Sequence, residues 1–396
     1  MQKPGHPAGK SVQALAGLVG GEAAAGVLLI AVALAALIVA NSPLASAYHH
    51  AFHGRLVWTP LPRLDTMHAW INDAAMAVFF FVVGLEIKRE MLEGELSSAA
   101  KRRLPVLAAA AGMAAPALIY LGVAGTAPPP QRGWAVPAAT DIAFAMGVIG
   151  LLGQRVPPTL RLFLLTVAII DDLGAVAVIA VFYTAKIAPL WLISAMVIVA
   201  TLAGLGRSKT PRYLSTLLLA CALWYCMLNS GIHATIAGVI AAFTIPLRAT
   251  HAGESMLLRL EHALTPWSAF LIVPLFGFAN AGVSLDGLGL DALLDPVPLG
   301  IAAGLFLGKQ LGIVLAILVA NRTGFARPPQ GATWMQLWGM AVLCGIGFTM
   351  SLFVAALAFP AHPHLAEEAK LGIIAGSLLS SLLGFAILRL APMPRG

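Results

Sequence analysis

Four ionisable side chains stand in stretches that offer them little that is polar. They are Asp141 in WAVPAATDIAFAMG (134–147), Asp171 and Asp172 in AIIDDLGAVAV (168–178), and Lys309 in LFLGKQLGI (305–313). The apolar run from Leu160 to Thr184 places Asp171 about 16 Å from its start, near the midplane of a ~30 Å hydrocarbon layer. A charge at that depth costs about 2.5–3.5 kcal/mol on insertion scales, so it needs a reason. A lone Asp–Lys pair would serve as a structural ion pair. Three acids against one base leave surplus negative charge that a cation or protons must balance. Asp171 and Asp172 are helix neighbours and point about 100° apart. They cannot easily share one proton as facing carboxylates do. One is expected to face a cavity, the other a neighbouring helix within reach of Lys309. A buried carboxylate can carry a proton or face a cation, and the two exclude each other at one site.

The rest of the chain says what surrounds these groups. Of its 396 residues 59% are hydrophobic and only 10% charged, and the mean hydropathy is +0.88. That is too little charge to coat a soluble protein, whose average is about 25%. The composition predicts an all-α polytopic membrane protein. Splitting the apolar runs at Pro, Gly and charge clusters gives about twelve spans, at 17–40, 70–88, 104–124, 134–151, 160–184, 189–206, 213–228, 231–246, 263–284, 298–320, 335–358 and 368–390. With the N-terminus inside, only Arg55, Arg63, Arg132, Lys186 and Lys370 fall outside and Lys309 falls within a span. The rest of the 24 Lys and Arg residues collect on the cytoplasmic side, as the positive-inside rule requires. The net charge of +7 then reflects topology; scattered over short loops, it is no nucleic-acid signal. The domain reading is a cytoplasmic tail at 1–16, one transmembrane domain at 17–390 with an external loop at 41–69, and a cytoplasmic tail at 391–396. Ala45-Ser46-Ala47 resembles a cleavage site, but the run before it is longer than a signal-peptide core. Cys221, Cys226 and Cys344 form neither a disulfide framework nor a zinc pattern. His49, His50 and His53 lie in the external loop without an acidic partner and read as solvated rather than metal-binding. Val57-Trp58 before two Pro-containing pairs suggests a short hairpin there.

Two spans look interrupted. Pro137 cannot hydrogen-bond back along a helix, and Thr140 and Asp141 are good caps for a helix that starts afresh. Gly345 and Gly347, followed by Thr349, suggest a second break. Interrupted spans in the two halves of a transporter point to a midplane binding site. Facing helix N-termini concentrate positive partial charge and C-termini negative. Asp141 is suited to neutralise the first and Lys309 the second.

The stretches INDAAMAVFFFVVGLEIKRE (71–90), ATDIAFA (139–145), AIIDDLGAVAVIA (168–180), GIHATIAGV (231–239), PWSAFLIVPLFGFANAGV (266–283) and LCGIGFTMSLF (343–353) resemble the NhaA family of Na⁺/H⁺ antiporters. The likeness runs from about residue 17 to 390. That family is itself among the cases behind the rule on interrupted spans, so the two readings are not independent. The resemblance implies twelve helices in inverted repeats with two crossing, unwound ones. It implies an ion and proton site at Asp171 and Asp172, with Thr140 and Asp141 nearby and Lys309 as the family's buried lysine. It further implies electrogenic export of Na⁺ or Li⁺ against more than one entering H⁺, without a cofactor, in a bacterial inner membrane with both termini cytoplasmic. A homodimer formed through the external loop at 45–60 would be the partner expected besides lipids. The family's pH-responsive cluster maps onto Glu86, Arg89 and Glu90 with Glu261 and His262. From the residues alone, Glu86 to Glu90 reads as a solvated helix end with i,i+4 pairs. Thr265, where the family usually has histidine, and Leu258, where a basic residue is common, put the usual pH profile in question. His233 reads as a hydrogen-bonded structural histidine, with a proton sensor as the other reading.

Two other activities compete. A sodium-coupled symporter of an organic anion would want a buried arginine, and every arginine here sits near a membrane edge. An intramembrane aspartyl protease needs two aspartates on facing helices sharing a proton; Asp141 opposite Asp171 would be the pair.

Overall fold

The computed structural model describes residues 21–184, 187–207, 213–247, 255–284 and 290–392. The tail expected at 1–16, most of that at 391–396, and Lys186, Lys209, Arg212 and Arg248 lie outside the described residues. The described chain is helical, with one isolated antiparallel bridge, Arg55 to Thr66. Its helices are α1 (Gly21–Ala40), α2 (Ala45–His53), α3 (Met67–Leu92), α4 (Ala99–Ala124), α5 (Ile142–Leu152), α6 (Pro158–Phe182), α7 (Pro189–Gly206), α8 (Tyr213–Ser230), α9 (Ile236–Thr244), α10 (Met256–Ala281), α11 (Pro296–Arg322), α12 (Trp334–Leu343), α13 (Phe348–Ala358) and α14 (Pro363–Leu390). A 3₁₀ segment, Pro130–Ala138, leads into α5. Single π-turns interrupt α3 at Trp70–Ala75, α10 at Ser268–Ile272 and α11 at Gly304–Gly308.

Ten of these segments are long and apolar enough to cross a membrane, eleven with α12 and α13 taken as one span bent by 42°. The twelfth expected span, 231–246, is a turn followed by the nine-residue α9. Gly231, with φ 91°, and the non-helical turn after it use up the length a full crossing would need. The short hairpin expected around Val57-Trp58 in the 41–69 loop is present only in outline. Residues 45–53 form helix α2, and the strand pairing shrinks to the Arg55–Thr66 bridge with Leu56 N–H donating to Asp65. ASAYHHAFH has alanine at three of nine positions and no β-branched residue, which favours helix over strand. The turn it leads to leaves Val57 and Trp58 exposed.

Helix starts follow local chemistry. Ser98, Ser255, Thr66 and Thr333 each accept a backbone N–H at the first turn, and Thr333 with Gln336 makes a capping box. Pro158 opens α6 at a position whose N–H needs no partner. The buried faces meet through small residues. α9 lies against α3 so closely that a Cβ on Gly238 would strike the Ala77 carbonyl, and one on Gly84 would meet Ala242. Lys88 near the C-terminal end of α3 donates to the carbonyls of Phe243 (2.7 Å) and Ile245 (2.5 Å), closing the end of α9. α3 and α9 therefore form one unit. A Gly238→Val protein is expected to lose about 1–3 kcal/mol, the usual scale of overpacking, read as a lower melting temperature in detergent; unchanged melting would show that the two helices are not tightly packed.

Candidate functional site

The two interrupted spans cross at their breaks. Between the 3₁₀ segment and α5 the chain is extended at Ala139–Asp141; between α12 and α13 it is unwound at Cys344–Gly347. Asp141 N–H donates to the Ile346 carbonyl at 2.6 Å. Asp141 then serves two helices at once. Its Oδ1 accepts the Phe144 N–H of α5 (2.9 Å), and its Oδ2 accepts both the backbone N–H (2.9 Å) and the hydroxyl (2.6 Å) of Thr349 in α13. One carboxylate thus faces two positive helix ends. Of the two candidate caps only Asp141 caps.

Thr140, fully buried, does something else. Its hydroxyl lies 2.8 Å from Asp171 Oδ2 and 2.8 Å from the Cys344 carbonyl. A hydroxyl has one proton to give, and both neighbours are acceptors when Asp171 is ionised. Asp171 itself comes from the middle of α6 and pairs with Lys309 Nζ at 2.5 Å, both side chains fully shielded. Lys309 therefore serves the carboxylate rather than the carbonyl ends of the broken helices. It follows directly on the α11 π-turn, where Gly304 and Gly308 let the backbone close on Pro116 of α4 and on Pro137. π-turns re-aim the residues beside them and recur at functional positions.

Asp172 points elsewhere, as its helix position requires. It lies in the field of three negative neighbours, Asp171, Asp141 and Glu86, against one positive one, Lys309. The Oδ1 atoms of Asp171 and Asp172 are buried and have no protein partner. Buried carboxylate oxygens without a donor are costly. A hard cation or a proton would satisfy them, and an all-oxygen donor set would suit Na⁺ rather than a transition metal. Among the described residues no group of three or more His, Cys, Asp or Glu is arranged to hold a metal ion.

The remaining candidates fall in two places. Arg89 of α3 pairs with Glu90 (2.7 Å) and, across to α10, with Glu261 (3.0 Å). Glu86, one turn before Glu90 on α3, lies within the electrostatic reach of both Arg89 and Asp172. His262 is the neighbour of Glu261 on α10. Thr265 turns its hydroxyl back onto the Glu261 carbonyl at 2.7 Å. His233 does not join them. It is hydrogen-bonded to Thr235 (2.9 Å), lies 3.5 Å from Asp73 and meets Phe353 of α13 edge-on. Around α2, His49, His53 and His68 stack in a column with ring centroids 4.6 Å apart at each step. Burial and the neighbouring His49 and Lys370 hold the His53 imidazole below its usual range. Burial pushes the Tyr48 phenol up to about 12, so it stays a donor to the Phe278 carbonyl. Sequence reasoning did not find Thr349 as the partner of Asp141, nor Ser377 of α14, whose Oγ accepts the Gly347 N–H at 3.2 Å. A serine or threonine in an apolar helix carries no signal until its neighbour across the break is known.

A bundle of apolar helices around two crossing, interrupted spans, with buried carboxylates at the crossing, defines a secondary ion transporter. A family model described as Na⁺/H⁺ antiporter 1 matches residues 17–388. The Na(+)/H(+) antiporter NhaA 1 of Erythrobacter litoralis is 60% identical over 369 residues, covering 93% of this chain and 91% of its own. The NhaA 2 of Novosphingobium aromaticivorans is 61% identical over 93% of this chain and 94% of its own. The NhaA of Pseudomonas entomophila is 52% identical over 99% of both. The chain belongs to the Na⁺/H⁺ antiporter 1 family: it is a transporter and not an enzyme.

The ion pair makes a sharp prediction. Lys309→Met strands a buried carboxylate and is expected to cost about 3–5 kcal/mol of stability, most of it regained when Asp171→Asn is added. Thermal unfolding of both variants in detergent measures this. A double variant no more stable than the single one would mean that Lys309 holds the fold by packing alone.

Proposed function

We propose that this Na⁺/H⁺ antiporter exchanges Na⁺ or Li⁺ for H⁺ by competition at Asp171 and Asp172, with access alternating between the two sides of the membrane. The observation that carries the reading is the pair of buried, unpartnered Oδ1 atoms on adjacent aspartates beside a break in two helices. From the inside, Na⁺ displaces protons from the pair. Carboxylate oxygens, the Thr140 hydroxyl, unwound backbone carbonyls and water are suitable ligands for a hard cation. From the outside, protons displace the ion. More than one H⁺ per Na⁺ makes the exchange electrogenic, driven by the proton gradient.

The geometry supports a coupling device. When Asp171 is ionised and held by Lys309, the Thr140 hydroxyl can donate to Asp171, and the Cys344 carbonyl loses its donor. When Asp171 carries a proton, it can itself donate to Thr140, whose hydroxyl is then free for Cys344. The charge on Asp171 thus reaches the unwound segment through one hydroxyl. Asp141 stays bonded to both helix starts and serves as the fixed counter-charge.

We place the protein in the bacterial inner membrane with both termini cytoplasmic, the tails at 1–16 and 391–396 flanking one antiporter domain, and a homodimer formed through the external segment 45–60. The Glu86, Arg89, Glu90, Glu261 and His262 cluster would set the pH of activation. Its ties to Glu86 and so to Asp172 support that role, while His233, hydrogen-bonded apart from the cluster, suits a structural one.

In liposomes with an acid interior and a pH-sensitive dye, external Na⁺ or Li⁺, but not K⁺, should collapse the gradient. Asp172→Asn should abolish this; retention of sodium exchange by that variant would remove the aspartates from the mechanism. Glu261→Gln, tested the same way over a range of pH, should shift the pH at which exchange begins and leave the plateau rate alone. An unmoved onset would take the cluster out of regulation.

A further inference from the structure

One buried hydroxyl beside the α12–α13 break has no partner. Ser380 of α14 is fully buried, and its Oγ meets no donor or acceptor; native structures leave such groups unpaired only for a reason. It lies on the unwound segment itself, since a Cβ on Gly345 would run into the Ser380 hydroxyl and the Leu305 carbonyl. Three residues earlier, Ser377 is also buried and its hydroxyl accepts the Gly347 N–H at 3.2 Å. Residues three apart share a helix face, and these two lie about 4.5 Å apart along the axis. Helix α14 thus lays two hydroxyls along Cys344–Gly347. One holds the segment; the other is idle.

The segment is tied to the carboxylates. The Cys344 carbonyl faces the Thr140 hydroxyl, which also faces Asp171, and the Ile346 carbonyl accepts the Asp141 N–H. Leu305, which approaches the same glycine, sits in the π-turn directly before Lys309. A change at Asp171 therefore reaches the segment from two sides, through Thr140 and through the element that carries Lys309.

We infer that Ser380 is a positioning residue for exchange: its hydroxyl takes up a backbone group of Cys344–Gly347 in the arrangement opposite to the one seen here. The segment is held at Ser377 in one arrangement and at Ser380 in the other. Packed elements switch between discrete registers of this kind rather than deform continuously. The inference rests on the reading that access alternates around Asp171 and Asp172.

Ser380→Ala removes the hydroxyl, and Ser380→Cys keeps the volume but offers only a weak donor. Exchange rates in liposomes at varied Na⁺ give an apparent KM and a maximal rate, and calorimetry on the detergent-solubilised protein gives Na⁺ affinity. Both variants should melt and bind Na⁺ as the parent does, yet turn over about tenfold more slowly, the scale of one hydrogen bond lost from the switched arrangement. A parent-like rate in Ser380→Ala overturns the inference. So does a full rate in Ser380→Cys, which would leave only packing, and so does an equal loss of Na⁺ affinity and rate, which would mark a role in building the site. Asp172→Asn run alongside separates the two levels: exchange surviving there defeats the site reading, whereas a parent-like Ser380→Ala beside an inactive Asp172→Asn defeats only this inference.

Discussion

The structure depends on an imbalance of charge held out of water. Asp141, Asp171 and Asp172 share the middle of the bundle with one cation, Lys309, and all four are almost completely shielded. Each would be expensive alone. Asp141 is satisfied from within at both oxygens, by the starts of α5 and α13, and Asp171 at one oxygen only, by Lys309 and Thr140. The Oδ1 atoms of Asp171 and Asp172 are left without a protein partner. Asp172 lies in the field of the carboxylates of Asp171, Asp141 and Glu86. Buried oxygens of this kind call for a proton or a cation, which is what the proposed exchange at Asp171 and Asp172 would supply.

The scaffold follows from that requirement. Unwound backbone in a membrane must be bonded by something other than its own helix. Here each break bonds the other, through Asp141 to Ile346 and Thr140 to Cys344. Neither break would be stable without its partner, so the crossing is a single element. The helices around it are brought in by residues too small to hold them off, at Gly304 and Gly308 against Pro116 and at Gly238 against α3. Close packing of this kind makes the surround stiff, and it leaves the crossing as the place where small changes in charge can act.

Much of this was legible in the residues. Charge deep in an apolar run, a proline followed by Thr-Asp, and two glycines in a long span located the four buried charges and both breaks. The angle between adjacent helix positions separated the roles of Asp171 and Asp172 and put one of them on Lys309. What could not be read was pairing across elements. Thr349 and Ser377 matter because of what lies opposite them, and the Asp141 bridge between two helix starts exists only once the spans cross. Two local expectations were refined by length and propensity: 231–246 shortened to α9 after Gly231, and within the expected 41–69 loop the alanine-rich 45–53 coiled into a helix. The Glu86–Glu90 stretch was ambiguous because an ionic helix end looks the same whether or not a neighbour meets it; Glu261 is that neighbour.

The central claim is that Na⁺ and H⁺ compete for the same carboxylates. Titration calorimetry of Na⁺ into the purified protein, repeated in buffers of different ionisation enthalpy and at several pH values, tests it most directly. The account predicts that binding releases protons, so that the heat changes with the buffer, and that affinity weakens as the pH falls. Binding with the same heat in every buffer and the same affinity at every pH would contradict it.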